Sequence, residues 1–165
     1  MAPTRILYDP VTRAIARLPE GPARVELGRE SYAGIPVPVS PRRMKGDGTK
    51  IEALFRNFPE AEKKRALEQL RGLSRRHAVL EIRGGKVFLS DAGSRNGVLL
   101  KGVGIGGADR KLAEGEKVSL ENGAHFLLGA WPLQYFDAPA DLERIERKKT
   151  GVYVPEPPRR REGTA

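Results

Sequence analysis

The sequence contains no cysteine and only two histidines among its 165 residues. Without cysteine the chain forms neither a disulfide nor a thiolate metal site, and two histidines far apart in the sequence give a zinc site little support. No apolar run approaches the roughly 20 residues that a membrane helix needs. The first residues lack the charged and then apolar segments of a signal peptide. These absences predict a cytoplasmic protein with no metal and no other cofactor.

Acidic residues are also in the minority, with 21 Asp and Glu against 30 Lys and Arg, a formal net charge of +9. Such an excess raises the local concentration of anions through the summed field of the protein. Nucleic acid, an anionic lipid surface and a phosphorylated protein all fit this charge. Composition therefore indicates the sign of the partner and leaves its class open.

Short runs of partly alternating apolar and polar residues recur about every ten residues, separated by turns that contain proline or glycine. This rhythm is typical of an antiparallel sandwich or barrel, and Gly-Gly and Asn-Gly pairs at 84–85 and 122–123 suit tight hairpins. The predicted strands are 5–8, 13–18, 23–27, 78–82, 86–89, 98–101, 117–120, 125–128 and 133–136. The pattern predicts an all-β core.

One segment interrupts the strands. Residues 49–71 are rich in helix formers, with Thr49 as a plausible N-cap, Pro59 suited to the first turn of a second helix and Gly72 just past its end. The preceding Pro- and Gly-rich stretch is predicted to be a loop. The apolar residues of the helical segment either dock a partner or, as we favour, pack on the sandwich. They are Leu54, Phe55, Phe58, Leu67 and Leu70.

Four short motifs follow one another in order along the chain. They are Gly28-Arg29 at the end of a strand, Ser74-x-x-His77, Asp91, and Ser94-x-Asn96-Gly97. Together with the Leu-, Gly- and Glu-containing run at 112–120, this pattern resembles the forkhead-associated (FHA) domain family over residues 5–136. The resemblance implies a two-sheet antiparallel β-sandwich of the FHA/SMAD-like kind. It also implies a non-catalytic module that binds phosphothreonine peptides through loops at one end. The helical insertion, at about 40–72, is unusual for the family.

The residues themselves suit a phosphate ligand. A phosphate group carries a charge of about −1.5 to −2 and three strong acceptors, so its receptor needs fixed cations and short donors. Arg29, Ser74 and Arg75 offer such a set, since a guanidinium fork matches phosphate oxygens and a serine hydroxyl is a compact donor. The resemblance implies that Asn96 holds the peptide backbone, and Arg95 precedes it. Successive side chains of an extended strand point to opposite faces, so we expect Arg75 rather than the next arginine to face the site.

The other motif residues are predicted to support the site. Gly28 and Gly97 permit tight backbone geometry. The resemblance implies that His77 braces the serine loop, and Asp91 and Ser94 are expected to hold the turn before the next strand.

Catalytic alternatives find little support. Ser74, His77 and Asp91 are the residue types of a hydrolase triad, but no G-x-S-x-G elbow surrounds the serine. The run 102–107 fits G-x-G-x-x-G, yet the segment after it is too short for the helix of a dinucleotide site. We predict no catalytic residues and no enzyme activity.

The alternative binding function uses charge alone. Basic clusters at 42–45, 147–149 and 159–161 are candidates for contacts with nucleic acid, and the insertion is a candidate scaffold surface that needs no phosphate. Residues 137–165 form a basic, Pro-rich tail that is predicted to be mostly disordered. Within it, Thr150 follows a basic cluster and is a candidate regulatory phosphosite for a Ser/Thr kinase, able to occupy the chain's own site when phosphorylated.

Overall fold

The computed structural model describes residues 5–29, 34–39, 55, 58–102 and 105–137, and the backbone of 151–153. One helix, α1 (Glu60–Arg71), lies among the described residues between the fourth and fifth strands. The strands are β1 (Ile6–Asp9), β2 (Ala14–Arg17), β3 (Ala23–Gly28), β4 (Ile35–Pro36), β5 (Ala78–Arg83), β6 (Lys86–Asp91), β7 (Val98–Leu100), β8 (Arg110–Lys111), β9 (Val118–Ser119), β10 (His125–Leu128), β11 (Trp131–Phe136) and β12 (Gly151–Tyr153).

Within these ranges the strands form two sheets. One has the order β12-β2-β1-β11-β10-β7-β8, and the other has the order β4-β3-β5-β6-β9. The predicted all-β, two-sheet sandwich is confirmed. It differs from a purely antiparallel one in two places, because β4 runs parallel to β3 and β12 runs parallel to β2.

The local sequence explains the best-formed hairpin, which joins β5 to β6. Arg83 pairs with Lys86, so two glycines form the whole connection. Gly84 and Gly85 have φ of 58° and 76°, as the central residues of a tight hairpin turn require. Three strands that the sequence analysis missed, β4, β8 and β12, are two or three residues long, which is too short for alternation to be recognised.

The core lies between the sheets and is built from apolar side chains of both. Its largest fully buried members include Trp131, Tyr135, Phe126 and Leu80. A smaller cluster of buried residues, Ile6, Ile15 and Phe136, is separate from this core. Alternation along β10, where Phe126 and Leu128 are buried and His125 is exposed, is the pattern from which the strand was predicted.

A buried carboxylate joins three parts of the sandwich. Asp9 Oδ1 accepts the backbone N–H groups of Val11 (2.9 Å) and Thr12 (3.1 Å). Its Oδ2 accepts the N–H of Val39 (3.0 Å) and the indole Nε1–H of Trp131 (2.9 Å). Burial raises the pKa of Asp9 to about 6, against the four donors, which favour the ionised form. Asp9 therefore ties the β1–β2 turn to β11 and to the segment that follows β4.

Helix α1 confirms the helical prediction for residues 60–71. Glu60 and Glu62 in its first turn and Arg71 in its last complement the helix dipole. Pro59 occupies the N-cap position rather than the first turn, and Gly72 follows the last residue. Thr49, the predicted N-cap of the first helix, lies outside the described residues.

The apolar residues of the insertion pack on the sandwich, as favoured from the sequence. Phe55 is fully buried, and its ring lies 5.2 Å from that of Phe58 and 6.2 Å from that of Trp131, measured between centroids. Leu67 and Leu70 are half-buried against the same core. Leu54 lies outside the described residues. Burial of this kind fixes the end of α1 against the rest of the domain.

The tail contributes one strand where the sequence predicted little order. Residues 151–153 pair with β2, Gly151 opposite Ala14 and Tyr153 opposite Ala16. Thr150 and the three basic clusters lie outside the described residues. No helix in the described part of the chain is long and apolar enough to cross a membrane.

Candidate functional site

The predicted site residues meet at one end of the sandwich, where three segments surround a cleft of about 720 Å³. The segments are the end of β3, the residues between α1 and β5, and the β6–β7 loop. All five residues predicted to touch the ligand line this cleft: Arg29, Ser74, Arg75, Arg95 and Asn96. The structure therefore brings together residues that are up to 67 positions apart in the sequence (96 − 29).

The end of β3 approaches the serine loop so closely that only glycine fits. A Cβ on Gly28 would lie 2.1 Å from the carbonyl oxygen of Arg75. The backbone N–H of Arg29 donates to the carbonyl oxygen of Ser74 at 3.1 Å. These contacts hold the arginine and the serine side by side at the rim of the cleft.

His77 connects the serine loop to the β6–β7 loop from beneath. The side chain is fully buried, and its Nδ1 accepts the backbone N–H of Ser74 at 3.0 Å. Its Nε2 lies 2.7 Å from the carbonyl oxygen of Gly97, which can only accept, so Nε2 carries the hydrogen. The two bonds therefore specify one neutral tautomer. Burial lowers the pKa of His77 from its ordinary value, which keeps the ring neutral.

The hydroxyl group of Ser74 is oriented by the opposite loop. Its Oγ accepts the backbone N–H of Arg95 at 3.1 Å. A hydroxyl has one hydrogen to donate in addition to its acceptor sites. Because the bond from Arg95 uses an acceptor site, the hydrogen of Ser74 is left to donate into the cleft.

The β6–β7 loop is held by two side chains that bond its own backbone. Asp91 Oδ1 accepts the N–H of Ser94 (2.9 Å), and Ser94 Oγ accepts the N–H of Gly97 (2.9 Å), whose φ is 80°. Asn96 projects from this loop and donates from Nδ2 to the carbonyl oxygen of Gly72 at 3.0 Å. The loop is therefore fastened both to itself and to the end of α1.

Two arginines that the sequence analysis left out of the site also line the cleft, Arg71 and Arg76. The expectation that only Arg75 of the adjacent pair faces the cleft was wrong, because β5 begins at Ala78 and the strand rule of alternation does not apply to the bend before it. Arg76 also lies 3.7 Å from the carboxylate of Glu26. Arg71 is the last residue of α1, and its place in the site depends on how the helix packs.

The contacts do not form a catalytic triad. Both ring nitrogens of His77 bond backbone groups, Ser74 Oγ bonds a backbone N–H, and Asp91 holds its own loop. A triad requires the histidine to receive the serine proton and the aspartate to orient the histidine. Over the part of the chain that the structure describes, no three His, Asp or Glu side chains are grouped so as to hold a metal ion.

Comparison with known proteins agrees with this arrangement. Residues 66–129 match the family model of the FHA domain. This range contains the serine loop and the β6–β7 loop but not the end of β3. None of the curated proteins compared with the chain matches it.

Solved structures share the fold at low sequence identity. The FHA domain of the CT664 protein of Chlamydia trachomatis is 19% identical, with a TM-score of 0.51 over 82% of this chain and 98% of that one. The FHA domain of an Arabidopsis thaliana hypothetical protein is 17% identical, with a TM-score of 0.51 over 83% of this chain and 87% of that one.

A third similar structure is Mycobacterium tuberculosis EmbR in complex with a low-affinity phosphopeptide, 16% identical with a TM-score of 0.51. The match covers 82% of this chain and 25% of EmbR, so the chain corresponds to about a quarter of that protein. Residues 66–129 thus match the forkhead-associated family model, and the chain shares the sandwich fold of solved FHA domains, with a helix between its Gly-Arg and Ser-x-x-His motifs.

Proposed function

We propose that the chain binds phosphothreonine peptides of partner proteins in the cleft at the end of the sandwich. It then acts as a non-catalytic module in phosphorylation-dependent protein–protein interaction. The observation that carries this proposal is the Ser74 hydroxyl, which the backbone of Arg95 orients within a cleft lined by arginines. A cation-rich cleft with a fixed short donor suits a phosphate dianion.

The chemistry of the cleft is strong enough for a useful affinity. Charge-assisted hydrogen bonds contribute about 1.5 to 3 kcal/mol each, so three bonds from Arg29, Ser74 and Arg75 supply about 4 to 9 kcal/mol. A micromolar complex needs about 8 kcal/mol. The phosphate contacts alone therefore approach micromolar binding.

Asn96 is proposed to hold the peptide backbone. Its Nδ2 is directed to the Gly72 carbonyl oxygen, which turns the amide oxygen away from that contact. An amide oxygen accepts N–H groups, so it suits a peptide that crosses the rim of the cleft beside the phosphate.

The test is fluorescence polarisation with matched phosphothreonine and unphosphorylated peptide libraries, at low and at physiological salt. The wild type should bind only the phosphorylated library, and Arg29→Ala should weaken that binding about 10- to 100-fold, the loss of 1.5 to 3 kcal/mol. Arg65→Ala removes the same charge from an exposed position of α1 that does not line the cleft, so it serves as the matched control.

Two results would overturn the proposal. Equal affinity for both libraries would show that phosphate is not read. Binding that falls steeply with salt and is insensitive to Arg29→Ala would instead favour the charge-driven, nucleic-acid-binding alternative.

The regulatory role of Thr150 stays a prediction, and it depends on the same site. A phosphothreonine on the chain's own tail would compete with an external peptide through its high effective concentration. Equal binding of an external phosphopeptide by the Thr150-phosphorylated and unmodified chains would contradict it.

A further inference from the structure

One corner of the cleft is a junction of three backbone segments. They are the end of α1 at Gly72, the β10–β11 turn at Gly129 and Ala130, and the β6–β7 loop at Asn96 and Gly97. The N–H of Gly129 donates to the carbonyl oxygen of Gly97 at 2.9 Å, and Asn96 Nδ2 donates to that of Gly72 at 3.0 Å. The junction therefore joins the inserted helix to the residue proposed to hold the peptide backbone.

The turn packs so closely against the helix end that only glycine fits at position 129. Gly129 has a φ of 61°, and a Cβ there would lie 2.5 Å from the carbonyl oxygen of Gly72 and 3.4 Å from the Cβ of Asn96. A backbone oxygen does not move aside as the end of a flexible side chain does. A methyl group at position 129 would therefore displace the helix end or the turn from the other two segments.

The bond from Asn96 satisfies a group that the helix leaves open. Carbonyl groups at a helix C-terminus have no partner within the helix, and the helix dipole makes this end negative. The Asn96 side chain is exposed, so without the bond it would exchange among several rotamers. With Nδ2 held by Gly72, the amide oxygen keeps one direction, which lowers the entropy lost when a peptide N–H binds to it.

The acceptor of this bond is itself fixed by packing. Ala66 of α1 and Leu73 just after the helix are buried, and Leu70 is half-buried against the core. The N–H of Gly72 donates to the carbonyl oxygen of Gln69 at 3.2 Å and closes the last turn. The helix therefore presents the Gly72 carbonyl oxygen to Asn96 at a constant position.

We infer that the inserted helix orients Asn96 for the peptide backbone, and that Gly129 is a positioning residue for this interaction. The inference rests on the proposed function and gives the insertion a role in it. Gly129 is not among the described residues that line the cleft, so it acts through Asn96. Ser74 is held separately, by the N–H of Arg29 and by Nδ1 of His77, so phosphate binding does not depend on the junction.

The test separates the two parts of the ligand. A phosphothreonine peptide supplies phosphate and backbone, whereas isopropyl phosphate supplies the phosphorylated side chain with no backbone. Affinities for both are measured for the wild type, Gly129→Ala, Asn96→Ala and the double variant. Gly115→Ala is the matched control, because Gly115 has a φ of 78° and open space where its Cβ would lie. Fluorescence of the buried Trp131 shows whether each variant is folded.

We expect Gly129→Ala to weaken phosphopeptide binding about 3- to 10-fold, the effect of one hydrogen bond, and to change isopropyl phosphate binding by less than about twofold. Asn96→Ala should cause a similar loss, and the double variant should lose no more than Asn96→Ala alone, because both changes act on one interaction. Gly115→Ala should bind both ligands as the wild type does. Leu70→Ala loosens the helix end from the core and should repeat the selective loss, so it decides the question if Gly129→Ala does not fold.

Three results would overturn the inference while leaving the proposed function intact. They are an unchanged phosphopeptide affinity in the folded variants of Gly129 and Leu70, an equal loss for both ligands, and losses in Gly129→Ala and Asn96→Ala that add in the double variant. A wild type that binds phosphorylated and unphosphorylated peptides equally would overturn the proposed function itself.

Discussion

Replacement of His77 by leucine tests whether the two backbone bonds of the imidazole hold the site together. The substitution keeps an apolar side chain in a buried position and removes the partner of the Ser74 N–H. It also removes one of the two hydrogen bonds to the Gly97 carbonyl oxygen, which keeps the bond from the Gly129 N–H at 2.9 Å. A buried polar group left without a partner costs about 1 to 3 kcal/mol. Because Ser74 is half-buried and the Gly97 carbonyl oxygen keeps its second hydrogen bond, we expect the free energy of unfolding to fall by about 2 kcal/mol.

The assay is urea unfolding followed by fluorescence of the single tryptophan, Trp131, which is fully buried. With an m value of about 1–3 kcal/mol/M for a small protein, the midpoint should fall by about 0.7–2 M. Phosphopeptide affinity should fall as well, because the loop that presents the Ser74 hydroxyl loses its support.

The pH dependence gives this prediction its second measurement. Burial lowers the pKa of His77 in the folded chain, so the unfolded chain takes up a proton at a higher pH than the folded chain does. The contribution of the neutral ring to the free energy of unfolding is therefore complete above about pH 6.5. It decreases as the pH falls below that value, by up to about 1.4 kcal/mol per pH unit. The stability difference between the wild type and His77→Leu should shrink from pH 8 to pH 5.

The titration of Asp9 does not disturb this comparison. The raised pKa of Asp9, about 6, has the opposite effect, because stability from the protonated acid is lost as the pH rises toward 6. Asp9 is present in both proteins, so its effect cancels in the difference. A difference between wild type and His77→Leu that stays constant from pH 8 to pH 5 would refute the assignment of the neutral tautomer.

Three other substitutions or ligands probe different parts of the structure. Asp9→Asn replaces an oxygen that accepts two N–H groups by an NH₂ group that donates. It should therefore lower the free energy of unfolding, measured by urea titration, by about 2 to 4 kcal/mol. A decrease below about 0.5 kcal/mol would contradict the hydrogen-bond network of Asp9. Gly28→Ala places a Cβ 2.1 Å from the Arg75 carbonyl oxygen and should weaken phosphopeptide binding at least about tenfold by polarisation, while Gly21→Ala, where a Cβ has open space, should not. If one buried methyl group, worth about 0.8 kcal/mol, is the whole difference, a phosphoserine peptide should bind about fourfold more weakly than its phosphothreonine counterpart. Titration calorimetry measures this ratio, and a much larger value would indicate a pocket shaped for the methyl group.

Parts of the site were predictable because they are local. The spacing of Ser74 and His77 places a backbone N–H next to a ring nitrogen three residues away, and Asp91 and Ser94 cap their own turn, so short motifs carry this information. The strands with clear alternation or glycine turns were predictable for the same reason.

The remainder depends on packing between segments that are distant in sequence. Arg71 enters the cleft because α1 ends against the β6–β7 loop, and no periodicity within the helix indicates that contact. Strand alternation predicts that Arg76 points away from the cleft, but the chain bends before β5 and Arg76 lines the cleft. The pairing of β12 with β2 joins residues about 137 positions apart (151 − 14), which local patterns do not report.

The anchoring of the insertion at both ends has a consequence for how the chain tolerates change. Val39 is bonded to the buried Asp9, and Phe55 is buried against Trp131, so residues 40–54 connect two points that the core already fixes. A change in the number of residues between Val39 and Phe55 leaves both anchoring contacts in place, so we expect it to preserve the cleft geometry and to give an experimenter a place to attach a probe.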